Sequence, residues 1–411
     1  MKYGLIGEHL GHSFSKEIHE SISDYEYMIK EIARNDLDRF MKAKAFKGIN
    51  VTIPYKETVI PYLDYIDPSA KEIKAVNTIV NKDGKLYGYN TDYLGLRDLI
   101  LKSKIKVKDQ KVLILGNGGT SKTAQAVFKS LEASSIIVVA LEPTGNEVSY
   151  QDAVTIHSDA NIILNATPVG MYPNNQDLII DISCFNHLKG VFDVIYNPLQ
   201  TKLLQTAKAK GIKAHGGLYM LVAQAVYASC IFKGRKIDQT IINEVYTKLK
   251  RQKRNIVLIG MPSCGKTTIG KQLAKKMNRE FIDIDKEIEK EIGTSIKTYI
   301  DVSGEDAFRK LETEMTYKFS KQNNLVISTG GGVIKRQINI DNLKQNGKII
   351  FIDRSLDLLK PTESRPLSND LDKLRKMYSE RFDIYMRSAD LVVKNDQEFE
   401  ECVHKIYHEV K

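Results

Sequence analysis

NIVLIGMPSCGKTTIGKQLAKKM, residues 255–277, decides the fold of the second half of the chain. Ile256-Val257-Leu258-Ile259 is a short apolar run of the kind that forms a buried strand, and IGKQLAKKM has the apolar spacing of a helix. Between them, Gly260-Met261-Pro262-Ser263-Cys264-Gly265-Lys266-Thr267 spells a complete GxxxxGK[ST] loop. In such a loop backbone N–H groups cradle phosphates, the lysine reaches the β and γ oxygens, and the threonine hydroxyl ligates Mg²⁺. The expected ATP contacts are therefore Gly260, Ser263, Cys264, Gly265, Lys266, Thr267 and the following Thr268. The motif calls for a nucleoside triphosphate and leaves the acceptor open.

Upstream, the basic run from Lys248 to Arg254 reads as a solvated linker, placed at residues 251–254, rather than a nucleic-acid patch. Residues 255–411 then suit one compact P-loop α/β domain. A second strand, glycine loop and helix lies at KVLILGNGGTSKTAQAVFKSL, starting from Lys111. Glycines between a strand and a helix let the backbone approach a pyrophosphate at the helix N-terminus. Gly116, Asn117, Gly118, Gly119 and Thr120 are the expected dinucleotide contacts, although Ser121 stands at the third glycine position and a purely structural turn is the alternative. Further strands at IIVVAL, NIILNA and VFDVI fit a parallel, Rossmann-like sheet.

Residues 1–100 alternate strands such as YGLIG, GINVTI and AVNTIV with helices, and the apolar helix GGLYMLVAQAVYASCIF is expected to return and cover them. The expectation is a two-lobed unit over residues 1–250. One lobe comprises 1–100 with about 216–250, and the nucleotide-binding lobe comprises about 101–215.

The whole chain has 411 residues, 42% hydrophobic and 27% charged, with a net charge of +10. These are globular values, and the length calls for more than one domain. The basic residues are dispersed rather than interleaved with aromatics, so anionic small molecules account for the charge and no nucleic-acid partner is expected. No apolar stretch approaches the length of a membrane span. The start MKYGLIGEHLGHS also has no long apolar run, and the cytoplasm is the expected location; Cys184, Cys230, Cys264 and Cys402 lie far apart and read as reduced thiols. Oligomeric state cannot be read from the sequence.

Five segments give the first half a closer resemblance: HSFS (12–15), NVTIPYK (50–56), AVNT (75–78), NTD (90–92) and NATPVGM (165–171). Together with DVIY (193–196) and GGL (216–218) they are similar to shikimate dehydrogenases. Ketone reduction needs a hydride at carbon and a proton at the developing alkoxide. The resemblance implies that Lys56 and Asp92 are the catalytic pair; taken singly, each could be a surface lysine at a helix start and a helix cap. It implies substrate contacts at Ser13, Ser15, Thr52, Asn77, Asp92, Tyr196 and Gln224, and cofactor contacts that include Gly217 and Met220. Ser15 could also cap a helix. Lys16 departs from the proline common at that position. Quinate in place of shikimate is the nearest competing substrate.

The second half is similar to shikimate kinases through FIDIDKEIE (281–289), GEDAFRKLE (304–312), STGGG (328–332) and SRPL (364–367). The resemblance implies Asp283 beside the metal with Thr267, Asp285 as partner of the acceptor hydroxyl, and Arg309 and Arg381 as clamps on the acceptor carboxylate. Gly330, Gly331 and Gly332 would let the ring approach backbone, and Arg365 would neutralise the transferred phosphate from a short lid that carries Lys360. Asp283 and Asp285 are read as sharing one face of a strand end. The two halves imply consecutive reactions, reduction of 3-dehydroshikimate and phosphorylation of shikimate. A ligand sensor keeping both folds is the rival from another class, and the intact chemical residues speak against it.

The expected cofactors are NADP(H) or NAD(H) for the first half, and ATP with Mg²⁺ for the second. The resembling family usually prefers NADP and carries an Asn-Arg-Thr-like loop after the second strand. Here that place reads Ala140-Leu141-Glu142-Pro143-Thr144-Gly145, with no Lys or Arg between Lys129 and Lys189. Glu142 stands where a carboxylate would hold the ribose 2′-hydroxyl of NAD. Lys122 is the basic residue that could instead reach a 2′-phosphate.

Overall fold

The computed structural model describes residues 1–10, 14–359 and 371–411. The chain divides into two compact units: Met1–Asn197 with Thr201–Lys248, and Pro198–Gln200 with Leu249–Lys411. The expected Ser13 and Arg365, with His12 and Lys360, lie outside the described residues.

The first unit holds two sheets. In the first, β1 (Tyr3–Gly7), β2 (Tyr27–Glu31), β3 (Gly48–Val51), β4 (Tyr65–Ile66), β5 (Thr78–Lys82) and β6 (Lys85–Tyr89) run in the order β2-β1-β3-β5-β6-β4. β1 pairs in parallel with β2 and β3, whereas β5 and β6 form an antiparallel hairpin. That hairpin turns at Asp83-Gly84, both at positive φ, the dipeptide that matches the twist of the flanking strands. Every residue of β1 and of β3 is buried.

The second sheet is wholly parallel: β7 (Lys111–Leu115), β8 (Ser135–Val139), β9 (Ile162–Asn165), β10 (Gly190–Asp193) and β11 (Lys213–His215), in the order β11-β10-β9-β7-β8. The chain leaves β7 towards β8 on one side and returns to β9 on the other. This reversal opens the crevice at which doubly wound sheets bind nucleotides. The Rossmann-like expectation is met.

The helix Leu218–Lys233 is apolar around most of its circumference, as a helix must be when neighbours cover it on several sides. Ala228 and Phe232 pack with Tyr3, Leu5, Tyr25 and Tyr27, and the helix also lies along Thr91–Ser103. The crossing is close because Gly95 has no side chain: a Cβ there would stand 2.7 Å from the Met220 carbonyl oxygen.

The second unit has one parallel sheet: β12 (Asn255–Ile259), β13 (Glu280–Asp283), β14 (Leu325–Ser328), β15 (Gly347–Asp353) and β16 (Leu391–Lys394), in the order β13-β14-β12-β15-β16. β12 is buried throughout and turns directly into the helix Lys266–Met277, giving the P-loop α/β arrangement. Helix Gln239–Lys253 runs through the basic stretch expected as a linker, with Ile242 and Leu249, seven residues apart, buried and Lys248 and Arg251 exposed.

His19 is fully buried in the first unit, its ring stacked on Tyr27 at 4.0 Å and its Nδ1 2.7 Å from the Tyr25 hydroxyl. Burial pulls its pKa down to about 3 from 6.5. The unfolded chain therefore binds this proton more readily than the folded one, and the stabilisation present above pH 6.5 is lost as pH falls. Scanning calorimetry should show the first unit losing roughly 1–2 kcal/mol between pH 6.5 and 5 from this group. His19→Phe, which keeps the ring stack, should flatten that dependence.

Candidate functional site

A cavity of about 250 Å³ in the first unit is lined by Ser15, Asn50, Thr52, Lys56, Asn77, Asp92, Thr120, Tyr196, Gly217, Met220 and Gln224, among others. Local structure explains how residues so far apart in sequence converge. β3 ends at Val51, and the chain bends through Thr52 into the short helix Tyr55–Thr58, which carries Lys56. Asn90 caps the helix Thr91–Ser103, its side chain accepting from the Tyr93 N–H at 3.0 Å. Asp92 thus sits in the first turn and is not the cap. Lys56 Nζ lies 2.6 Å from Asp92 Oδ2, with a quarter or less of each side chain exposed.

Asn77 is oriented by its surroundings. Its Oδ1 accepts from the Thr91 N–H at 2.7 Å and from the Thr78 hydroxyl at 3.1 Å, so the amide nitrogen is the end that can serve a ligand. Behind it Asn50 is buried. Its Nδ2 donates to the Asn77 carbonyl and the Thr78 hydroxyl, while its Oδ1 accepts from Tyr27. Asn50 was not singled out for this role, and only its place in NVTIPYK could have signalled it. Ser15 is the first helical residue of Ser15–Ile22, with Phe14 at the cap position; the capping alternative fails. Gln224 Nε2 donates to the Leu221 carbonyl, and burial raises the Tyr196 hydroxyl above its ordinary range. Asp193, next to the lining residue Val194, is fully buried. Burial raises it to about 6 against donors from Thr201, the Ile195 N–H and Asn165.

The glycine loop leaves β7 at Gly116, whose φ of 98° suits glycine and where a Cβ would meet Thr167 at 2.6 Å. Gly118 caps the helix Gly119–Ser130. A Cβ on Gly118 or Gly119 would meet nothing within 4 Å, so the outer face of this turn is open to a pyrophosphate. Ser121 is fully buried, which explains why a small residue suffices at the third glycine position. Glu142 is exposed. The carboxylate that reaches the loop belongs to Glu147, whose Oε2 accepts from Asn117 Nδ2 at 3.2 Å and from the Thr144 N–H at 2.9 Å. Lys122 pairs with Glu57 at 2.6 Å.

In the second unit Gly260 has φ 147°, and a Cβ there would strike the Ile352 carbonyl oxygen at 2.6 Å. Lys266 is buried, its Nζ donating to the carbonyls of Gly260 and Met261 at 2.9 Å each. Thr267 Oγ1 donates to Asp283 Oδ2 at 2.8 Å. This all-oxygen pair suits a hard divalent cation such as Mg²⁺. Asp283 ends β13, but Asp285 falls in the first turn of the helix Ile284–Ile292. The shared strand face is therefore wrong. What joins the two carboxylates is a strand-to-helix turn, and Asp285 faces Gly330, where a Cβ would meet its Oδ1 at 2.6 Å.

Around Gly330–Gly332 several charges converge. Arg309 and Arg381 are buried rather than surface residues. Arg309 donates from Nη1 to Glu312 and from Nε and Nη2 to Glu305, and Lys335 also pairs with Glu305. Arg381 Nη1 and the Tyr385 hydroxyl both donate to the Gly331 carbonyl. A Cβ on Gly332 would collide with the Arg309 guanidinium. Glu312 and Tyr385 were missed in sequence, since a glutamate and a tyrosine on helices carry no local sign of burial beside an arginine. Burial pushes the Glu312 carboxyl up, opposed by Arg309, and its Oε1 has no partner among the described residues.

Residues 5–79 match the family model of the shikimate dehydrogenase substrate-binding domain. A shikimate dehydrogenase (NADP(+)) of Clostridium perfringens is 38% identical over 266 residues, covering 60% of this chain and 98% of the relative. The chain belongs to the shikimate dehydrogenase family. Shikimate dehydrogenase 1 from Peptoclostridium difficile superposes with a TM-score of 0.55 at 37% identity, over 61% of this chain and 98% of that one. The Thermus thermophilus shikimate 5-dehydrogenase in complex with NADP(H) and shikimate has a TM-score of 0.54 at 28% identity, over 60% and 99%. Residues 262–411 match the shikimate kinase family model. The dehydrogenase and kinase units make this a bifunctional shikimate-pathway enzyme. Among the described residues no helix is long and apolar enough to cross a membrane.

A cysteine in a phosphate loop invites attack by thiol reagents, but Cys264 is fully buried beside Lys266. Brief alkylation of the native enzyme followed by peptide mass spectrometry should label the partly exposed Cys184 and Cys230 first. Cys264 and the equally buried Cys402 should react only on denaturation.

Proposed function

We propose that the first unit reduces 3-dehydroshikimate to shikimate with NAD(P)H and that the second phosphorylates shikimate to shikimate 3-phosphate with MgATP. The observation that carries the first assignment is the Lys56–Asp92 pair at 2.6 Å in a cavity also lined by Ser15, Thr52, Asn77 and Gln224. A polyhydroxylated acid needs several short donors and acceptors on a rigid wall, and an ammonium beside the reacting oxygen can pass it a proton as the alkoxide forms. Asp92 holds that ammonium in place. Bound NAD(P)H supplies the hydride, and bound MgATP supplies the phosphoryl group.

For the kinase unit the support is the convergence of Asp285, Arg309 and Arg381 on Gly330–Gly332. The carboxylate of Asp285 can take the proton of an acceptor hydroxyl, and the two guanidiniums can hold the acceptor's carboxylate. Thr267 and Asp283 would hold Mg²⁺, with Lys266 and the N–H groups of the loop on the phosphates. The partners are small molecules. Four free cysteines support a reducing compartment, the cytoplasm.

A coupled assay on the intact chain, supplied with 3-dehydroshikimate, reduced cofactor and MgATP, should yield shikimate 3-phosphate. Lys56→Ala should lower ketone reduction roughly 10²–10⁴-fold, the range of a lost general acid, and leave phosphorylation of added shikimate intact. Asp285→Asn should do the reverse. Near-normal reduction by Lys56→Ala would refute the proton-donor role.

A further inference from the structure

The helix Phe399–Val410 of the second unit carries the sequence His404-Lys405-Ile406-Tyr407-His408. One face of it is apolar: Cys402, Val403 and Ile406 are buried, and the helix packs on Lys266–Met277, which starts in the phosphate loop. The Lys276 ammonium lies over the Tyr407 ring at 4.6 Å. His404 and His408 are exposed. Residues four apart on a helix stand one above the other, and no other two of the eight histidines have this spacing. Their Nε2 atoms are 3.1 Å apart, nearer than the ring centres at 4.3 Å, so the rings converge on those nitrogens rather than stack. Neither ring has another hydrogen-bond or ion-pair partner among the described residues.

Two imidazole nitrogens roughly 2.0–2.1 Å from one metal ion lie about 2.9–3.4 Å apart when the angle between them runs from a right angle to the tetrahedral value. The observed 3.1 Å falls inside that span. We propose that His404 and His408 form a surface chelate for a single late transition-metal ion, of the class Zn²⁺, Ni²⁺ and Cu²⁺, and that the ion staples the last turns of the helix that backs the phosphate loop. Among the described residues no third histidine, cysteine or carboxylate joins the pair, so water completes the shell. In the neutral pair one ring donates its Nε2 hydrogen to the other. On metal binding that hydrogen moves to the same ring's Nδ1, and both Nε2 lone pairs face the ion. Imidazole nitrogen favours these ions, whereas Mg²⁺ prefers oxygen, so the Mg²⁺ supplied with ATP does not compete. The staple works by linkage. An ion that binds the folded pair more tightly than the unfolded chain stabilises the fold as its concentration rises above the dissociation constant.

The test uses the untagged full-length enzyme, stripped with a chelator and titrated calorimetrically with NiCl₂ and ZnCl₂ in excess Mg²⁺. Wild type should show a saturable site that His404→Ala and His408→Ala each weaken about tenfold or more, at least the loss that follows when only a hydrogen-bond partner of a metal ligand is removed. His187→Ala, which deletes an exposed histidine of the first unit, should leave that site unchanged. Equal affinity in wild type and the two helix variants would overturn the chelate, and so would loss of the site in His187→Ala. In thermal melts Zn²⁺ should raise the midpoint of wild type and leave that of His404→Ala where it was. Binding with no shift of the wild-type midpoint would overturn the staple. Should a helix variant fail to fold, the wild type decides alone: Ni²⁺ should slow the modification of His404 and His408 by diethyl pyrocarbonate, read by peptide mass spectrometry, and not that of His187. Unchanged labelling of the pair would sink the proposal.

Discussion

Both units hang on one geometric constraint: the chain must leave an interior strand of a parallel sheet and enter a helix within a few residues, amides turned outward. Peptide N–H groups at such a turn have no partner inside the helix, and the helix dipole adds partial positive charge at the same place. The sheets around β7 and β12 put this turn where the crossovers diverge. Everything chemical is arranged around these two points. The cavity of the dehydrogenase unit reaches the first through Thr120, and Asp283 meets the second through Thr267.

The two units treat their working charges differently. Lys56 and Asp92 pair at 2.6 Å with a quarter or less of each side chain still exposed. Arg309 is buried with Glu312 and tied to Glu305 as well. A charge so enclosed is tolerable only with its partners in place, and removing one would cost about 3–5 kcal/mol. Such a guanidinium barely moves. It suits a fixed clamp better than a group that must change protonation, and Gly332 gives it the space a Cβ would occupy.

What the sequence made legible was local. The two glycine loops announced themselves because strand, turn and helix are neighbours in the chain, and Gly116, Gly260 and Gly265 take the positive φ that glycine favours. Lys56 and Asp92 lie 36 residues apart and became a pair only through resemblance, since no spacing rule links a β-to-helix turn to a distant helix start. Glu147, Glu312 and Tyr385 carried no signal, because their positions follow from which strands pair and which helices cross. At the basic run 248–254 the charges were legible and the helix was not: Ile242 and Leu249, a heptad apart, are buried on Gln239–Lys253.

Gly95 touches no substrate-facing atom by side chain, yet it fixes how near helix Leu218–Lys233 comes to helix Thr91–Ser103. Asp92 rides on one of these helices and Gln224 on the other, so the span between them is gauged by an absent methyl group. One carbon added at Gly95 would press on the Met220 carbonyl and the Gln224 backbone, so both walls would move together.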